Sequence, residues 1–323
     1  MILGMRYRPR RPRVLVLGSR FDFTCDYVVA ALQRRGVSYL RLNSEDLPAC
    51  AVALDPIARE LRVRMAGVDY LVTPRSLASV LFRRPVALRD YGGDGRGAQE
   101  RFAQAQWAAF MTNIALFGEA RWYNAPSSTY RAEQKAVQLW EATRIGFCVP
   151  STVVTNAPEL AVACLGRGRV ALKGLDTVLV REHGEEVFGF TTFAELSELD
   201  TASWSSAPGT LQRAVPDKID VRVTVVEEHA YAAAVLVDGQ GVSDDWRLHK
   251  QEVKFVSHEL PSEIRTHCVE LVRALGLRFA AIDLALSHRL YHFLEINPTG
   301  EWAWLVDSAG LPIDEAIADA LAR

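Results

Sequence analysis

Phe293-Leu-Glu-Ile-Asn-Pro-Thr-Gly-Glu-Trp-Ala-Trp304 is the stretch on which the reading of this chain turns. At its centre, Glu295-Ile-Asn297-Pro298 sets a carboxylate and a carboxamide on one face of a strand, whose period is two, and Pro298 ends the strand. Upstream, Ala280-Ala-Ile-Asp283-Leu-Ala-Leu-Ser287 reads as a second strand with one acid in an apolar run. An Asp in that setting is disfavoured and needs a partner. A hairpin turning across Ser287-His288-Arg289 brings Asp283, Glu295 and Asn297 into one oxygen cluster. Hard donors of this kind, with no His or Cys among them, suit Mg²⁺ held partly by a nucleotide's phosphates.

Working outward, 323 residues suffice for two or three lobes with buried cores. The formal net charge of −2 argues against a nucleic-acid binder that relies on bulk electrostatics. Arginines 6, 8, 10, 11 and 13 are the local exception, and residues 1–12 are expected to be a basic, disordered leader. The five cysteines form no C-x-x-C pair and read as small buried hydrophobes of a reducing cytosol. No apolar run reaches eighteen residues and no signal pattern appears, so a cytoplasmic protein without a membrane or nucleic-acid partner is expected. His288 and His292 sit four apart on predicted strands, and no metal role is assigned to them.

Arg13-Val-Leu-Val-Leu-Gly-Ser19, a helix over 22–35 closed by Gly36, and Val37–Leu42 form a strand–helix–strand opening, the mark of a small parallel α/β lobe. Shorter strands are predicted near 51–54, 61–72 and 79–83. Tyr91–Gly97 lacks the ending of a P-loop and reads as a surface loop. Phe102, Trp107, Phe110, Ile114 and Phe117 recur at helical spacing, predicting a core-facing helix over 99–118. A further helix is expected from Ala125-Pro-Ser-Ser128 to Gly146, with Lys135 inside it. Strands at 150–155 and 169–173 flank a short helix. Strand patterns then run from Thr210 to a helix over 261–276, before the hairpin and a last helix at 312–322.

Positive residues punctuate this plan. Lys173 ends a buried strand, Lys135 sits on the preceding helix, and Arg247 closes Asp245-Trp-Arg247. Asp220 and Arg222 share one face of a valine-rich strand and must meet a partner or a polyanion. Together with the acid cluster they satisfy a triphosphate's requirements. Leu211–Val215 reads as an inter-lobe hinge whose main chain is placed to meet adenine.

The ordered set Lys135, Lys173, Gln212–Val215, Asp220-x-Arg222, Asp283 and Glu295-x-Asn297 resembles the ATP-grasp carboxylate–amine ligases. Arg41–Pro48, Ser79–Pro85, Tyr123-Asn-Ala-Pro126, Ala132-Glu-Gln-Lys135, Val149–Asn156, Asp245-Trp-Arg247 and Asn297–Trp304 narrow the resemblance to the microviridin-type, or graspetide, peptide maturases, from about residue 13 to the end. The implied fold is α/β (α+β) with three lobes: a parallel α/β lobe over 13–120, a central lobe over 121–208 and an antiparallel-sheet lobe over 209–323. The implied activity is ADP-forming ligation. ATP phosphorylates an Asp or Glu side chain of a ribosomal precursor peptide, and a Ser, Thr or Lys of the same peptide closes an ω-ester or ω-amide ring. By position, Lys135 and Lys173 hold phosphates, and Gln212, Arg213, Ala214 and Val215 frame the base. Asp220 meets the ribose, Asp283, Glu295 and Asn297 hold Mg²⁺, and Arg222 and Arg247 stabilise the acyl phosphate and oxyanion.

Departures from the pattern touch the substrate side. Ala281 stands where D-alanine ligase-like enzymes carry an Arg, Gln134 where the maturases usually show Asn, and Thr299, Glu301 and Val306 replace other common residues. A stand-alone ligase that adds an amino acid to a peptide or protein is the alternative reading, and a non-catalytic peptide-binding relic the third. The precursor's leader is expected near 176–190, around Asp176, Arg181, Glu182, Glu185 and Glu186. A homodimer is left open as its assembly.

Overall fold

The computed structural model describes residues 8–83, 97–175, 191–199, 204–249 and 251–323, and the backbone alone of 179–182 and 185–188. The glycine-rich loop before Gly97, most of the basic leader, Arg84-Pro85 and the charged side chains expected to meet a leader peptide lie outside the described residues. Among those described, no helix is long and apolar enough to cross a membrane.

Strand β1 (Val14–Gly18) is buried along its whole length, as its unbroken apolar run requires. Helix α1 (Phe23–Arg34) follows, capped by the Asp22 carboxylate, which accepts from the Thr24 amide at 2.9 Å. Strand β2 (Tyr39–Asn43) then pairs parallel to β1. Next comes an antiparallel meander of β3 (Ala51–Asp55), β4 (Glu60–Met65) and β5 (Val68–Val72). The run 61–72, expected as one strand, is cut by Ala66 and Gly67, both at positive φ. β6 (Ser79–Phe82), α2 (Ala98–Asn113) and β7 (Arg121–Tyr123) complete a parallel sheet of order β2-β1-β6-β7.

Two expectations about helices need correction. Phe102 is 66% exposed, so α2 reaches the core only from Trp107 onward. A helix of this length spans about 24 Å, and a sheet of four short strands is only about 15–20 Å across in either direction. The helix therefore overhangs. The single helix expected over 125–146 is two, α3 (Pro126–Ala132) and α4 (Lys135–Ile145), broken at the extended Gln134 and stopped at Gly146 in a left-handed conformation. Lys135 is accordingly the first residue of α4 and does not lie mid-helix.

A second sheet, antiparallel and of order β12-β9-β13-β8, gathers β8 (Thr152–Thr155), β9 (Arg169–Lys173), β12 (Thr192–Glu195) and β13 (Gly209–Arg213). Helix α5 (Pro158–Leu165) joins β8 to β9, and β10 (Leu179–Glu182) pairs with β11 (Glu185–Phe188) as a separate ribbon. A third sheet, of order β16-β15-β14-β17-β18, comprises β14 (Ile219–Val226), β15 (His229–Val237), β16 (Val253–Ser257), β17 (Phe279–Ser287) and β18 (Leu290–Asn297). Helix α6 (Ser262–Ala274) shares a buried core with one face of it, and α7 (Ala303–Ala309) and α8 (Ile313–Ala322) follow. The last helix returns to the first sheet, where the Ser79 hydroxyl donates to the Leu321 carbonyl at 2.7 Å.

Gln138 joins α4 to the outer edge of the third sheet. Its amide nitrogen donates to the carbonyls of Ala132 (2.7 Å) and Ile296 (2.8 Å), and its oxygen accepts from the Ile296 amide at 3.3 Å. It thereby satisfies a carbonyl at the helix break and one residue of an edge strand. Replacing Gln138 by Ala strands these buried backbone groups. Denaturant unfolding is expected to show a loss of about 1–3 kcal/mol, with the slope of the transition unchanged.

Candidate active site

The side chains of the C-terminal hairpin are sorted by the pleat. On β17, Ala280, Ile282 and Leu284 join the core beneath α6, which leaves Ala281, Asp283 and Ala285 for the opposite face. The turn at His288 and Arg289, both at positive φ, pairs Ser287 with Leu290, and this register continues to Leu284 and Phe293. Continued further, it would set Asp283 opposite Leu294. The register shifts instead between Asp283 and Leu284, so that Asp283 pairs with Glu295 and Ala281 with Asn297. Leu294 is the extra residue of a β-bulge. Phe293 and Ile296 both remain in the core although they are three apart, and Leu294 and Glu295 both line the cleft.

That cleft lies between the second and third sheets and is partly open to solvent. Ala171 and Lys173 of β9 and Gln212 of β13 contribute from one side, and Asp220, Arg222, Asp283, Leu294 and Glu295 from the other. The segment Ala214–Val215 connects the two sheets along its wall.

Opposite charges interlock across this space. The Lys135 ammonium lies 3.1 Å from Glu295, with the two side chains 17% and 19% exposed. Lys173 donates to the Gln212 side-chain oxygen at 3.0 Å, and Gln212 donates in turn to the Thr152 hydroxyl. Arg222, directly across from Asp283 in the β14–β17 register, donates one nitrogen to both carboxylate oxygens at 2.8 and 2.9 Å and the other to the Glu301 carbonyl at 3.1 Å. Its guanidinium also stands over the Trp304 ring. Asn297 places its amide 3.5 Å from Glu295. Burial alone would lift the Glu295 carboxyl, but the charges of Lys135 and Lys173 and the Lys135 hydrogen bond hold it well below the usual carboxylate range. Burial, only partly offset by Glu295, holds Lys173 below the ordinary lysine range.

The remaining expected residues fall along the same cleft. Gln212 and Arg213 belong to β13, hydrogen-bonded within the sheet, and the Arg213 and Ala214 amides donate to the carbonyls of Ser151 and Arg169. The Arg213 guanidinium is held by the carbonyls of Leu165 and Arg167. Asp220 is ion-paired with Lys218, and burial pushes its carboxyl upward against that charge. Arg247 donates through its side chain and backbone to Asp245 at 2.8 and 3.0 Å.

Sequence reasoning passed over three contributors. Lys218 is 6% exposed yet lines the cleft, also donating to the Asp244 carbonyl at 3.1 Å. A lysine two residues before the Asp-x-Arg pair was its only signal. Leu294 enters only because of the bulge, which no residue type announces. Gly300 is required by contact, since a Cβ there would lie 2.4 Å from that of Ala281 and 2.9 Å from Arg222. The crowding at Ala281 leaves no room for an arginine on that residue, and Arg222 occupies the space. The buried thiols of Cys25 and Cys268, both pushed up to about 12 by burial, are not poised as nucleophiles.

The donor set fits a hard cation. Two carboxylates directly paired across the hairpin, with a carboxamide on the same face, present oxygen atoms to one side of the sheet.

No protein-family model and no curated protein matches the chain. Solved structures do. The macrocyclase MdnC of Microcystis aeruginosa MRC, bound with its precursor peptide MdnA, aligns at TM-score 0.79 and 23% identity over 95% of this chain and 98% of its own. A peptide-associated ATP-grasp ligase of Chryseobacterium gregarium, in complex with ADP and a leader and core peptide, aligns at 0.81 and 24% identity over 96% of each chain. The ATP-grasp ligase PsnB, complexed with a minimal precursor variant, Mg and ADP, aligns at 0.74 and 21% identity over 97% and 98%. The chain therefore has the ATP-grasp fold.

Proposed function

We propose that the protein is an ADP-forming ligase that cyclises a ribosomally made precursor peptide, and that it works in the cytoplasm, where ATP and new peptide meet. One observation carries the reading. Asp283, Glu295 and Asn297 share one face of a hairpin while Lys135 and Lys173 approach the same carboxylate from other elements. Arg222 and Arg247 lie beside them.

Lys135 and Lys173 would neutralise phosphate oxygens of ATP, and Asp220 would accept from the ribose. The apolar lining of Ala171, Phe193 and Leu294 would hold the base. Asp283, Glu295 and Asn297 would bind Mg²⁺, which when bound adds positive charge beside the phosphates. A side-chain carboxylate of the peptide attacks the γ-phosphorus, the bond to the bridging oxygen breaks, and ADP leaves. Arg222 and Arg247 would hold the resulting acyl phosphate. A Ser or Thr hydroxyl, or a Lys amine, of the same peptide then attacks the carbonyl carbon. The oxyanion that forms is held by the same guanidinium donors. Phosphate departs, the nucleophile loses its proton, and an ester or amide ring remains. No step needs a covalent enzyme intermediate.

Incubation with Mg·ATP and the acidic, Ser/Thr-containing precursor should yield one ADP and the loss of one water per ring, read by mass spectrometry. A gain in mass would instead mark a stand-alone ligase that joins two molecules, and a product of unchanged mass would overturn both readings. Asp283→Ala and Glu295→Ala should each abolish turnover.

Two finer expectations follow from the geometry. Deleting Leu294 removes the bulge yet leaves Glu295 opposite Asp283, with Phe293 and Ile296 still inward. The variant should fold with an unchanged circular dichroism spectrum and bind Mg·ADP about tenfold more weakly, for want of one buried leucine contact. Undiminished affinity would remove Leu294 from the base site. Lys173 must be charged to hold a phosphate, and its pKa lies below the ordinary lysine range. Calorimetry should therefore show Mg·ADP affinity falling at a lower pH than an ordinary lysine would allow, and Lys173→Arg should shift that loss to higher pH.

A further inference from the structure

Arg83 immediately follows β6 at the carboxyl edge of the parallel sheet, next to the loop that follows β1, where the strand order reverses. Its side chain is 4% exposed, and its Nε donates to the Asp22 carboxylate at 2.9 Å. One terminal nitrogen donates to the Gly300 carbonyl at 3.1 Å, and the guanidinium stands over the Phe279 ring. The carbonyl of the next residue, Glu301, is the one that accepts from Arg222, and the space a side chain on Gly300 would fill is 2.9 Å from the same Arg222 nitrogen. The turn between Asn297 and Trp302 is thus gripped on one side by an arginine of the first sheet and grips an arginine of the third on the other.

We infer that Arg83 is a positioning residue for Arg222, acting through the Gly300–Glu301 backbone, so that the first sheet sets the aim of the cationic group that meets the reacting carboxylate. The inference rests on the role given to Arg222 above. Arg222 cannot fix its own orientation fully from within its sheet. Asp283 secures one terminal nitrogen, the Nε is buried without a partner among the described residues, and the second terminal nitrogen depends on Glu301. That carbonyl belongs to the 298–301 loop, in which Asn124 holds the Pro298 carbonyl and the Gly300 amide donates to Asn297, while Gly300 itself has no side chain. The Arg83 bond holds the Gly300 carbonyl, the peptide group immediately before Glu301. Asp22 has a separable task, compensating the buried charge of Arg83 while capping α1.

The test compares Arg83→Met with Asp22→Asn in the full chain. The readouts are the ¹⁵N–¹H signal of the Arg222 Nε, assigned by its loss in Arg222→Lys, and the rate of ADP formation with Mg·ATP and precursor. Arg83→Met should shift or broaden the Arg222 signal and slow ADP formation about tenfold or more, with Mg·ADP affinity kept within about twofold. Asp22→Asn keeps the bond to Gly300; it should lower thermal stability and leave the Arg222 signal in place. An unmoved Arg222 signal in Arg83→Met, or the same displacement in Asp22→Asn, would overturn the inference, as would a parallel fall in nucleotide affinity. Should Arg83→Met not fold, Arg83→Lys retains the charge beside Asp22, lacks the second nitrogen for Gly300 and is held to the same outcomes. If the wild-type protein forms no ADP, the proposed activity fails while the Arg222 signal still decides the positioning.

Discussion

A carboxylate that stays ionised while largely withdrawn from water governs the design of this molecule. Glu295 sits on an edge strand with about a fifth of its side chain accessible, and uncompensated burial would drive it neutral. The fold keeps it charged by importing cations from elsewhere. Lys135 comes from the first residue of a helix pinned to the same strand through Gln138, and Lys173 from the end of a strand in another sheet. Each is placed by a different element, so that the two positive charges approach the carboxylate from separate sides. The break between α3 and α4 belongs to the same requirement, since it sets Lys135 at a helix start one turn ahead of Gln138.

The acid cluster depends equally on backbone irregularity. A two-residue turn followed by regular pairing sets Asp283 against a leucine. The single bulged residue restores the pairing of the two acids and keeps Phe293 and Ile296 in the core. It also adds an apolar side chain to a cleft otherwise crowded with charge. Elsewhere the sheets are held by polar side chains with little freedom. Asn124 uses both ends of its carboxamide, donating to the carbonyls of Phe279 and Pro298 and accepting from the amides of Arg278 and Phe279. The start of β17 and the end of β18 are thereby fixed to the strand that closes the first sheet.

Much of this was legible from residue order. The alternation Glu-x-Asn before a proline, an Asp in an apolar run and a charged pair in a valine-rich strand each break a local rule of burial. Such breaks are where a site is expected, and Asp283, Glu295, Asn297, Asp220 and Arg222 do share one sheet face. What escaped was set by tertiary context. The bulge at Leu294 leaves no compositional trace, for leucine suits either face. The break after Ala132 is stabilised by Gln138 reaching a strand more than a hundred residues away, which no local propensity encodes. Phe102 is exposed because the width of the sheet decides how much of a helix face is covered, whereas helical periodicity reports only which residues share that face. Lys218 gave no sign beyond its charge, and only burial beside Asp220 reveals it.

The pairing of the cleft's charges bears on how such a site can work at all. Each cation given a role toward phosphate or an oxyanion is held by an anion or a carbonyl, whether Lys135 by Glu295, Arg222 by Asp283 and Glu301, or Arg247 by Asp245. Left unpaired, these side chains would repel one another and sample many rotamers, and ordering them would oppose binding. Paired, they are already ordered in the cleft, and a polyanion with its divalent ion would exchange one set of ionic partners for another. In the proposed reading the ion would take the carboxylates, and the phosphates would take the ammonium and guanidinium groups. Each protein charge would thereby keep an opposite partner on binding, and the energy of binding could go into aligning the reacting groups.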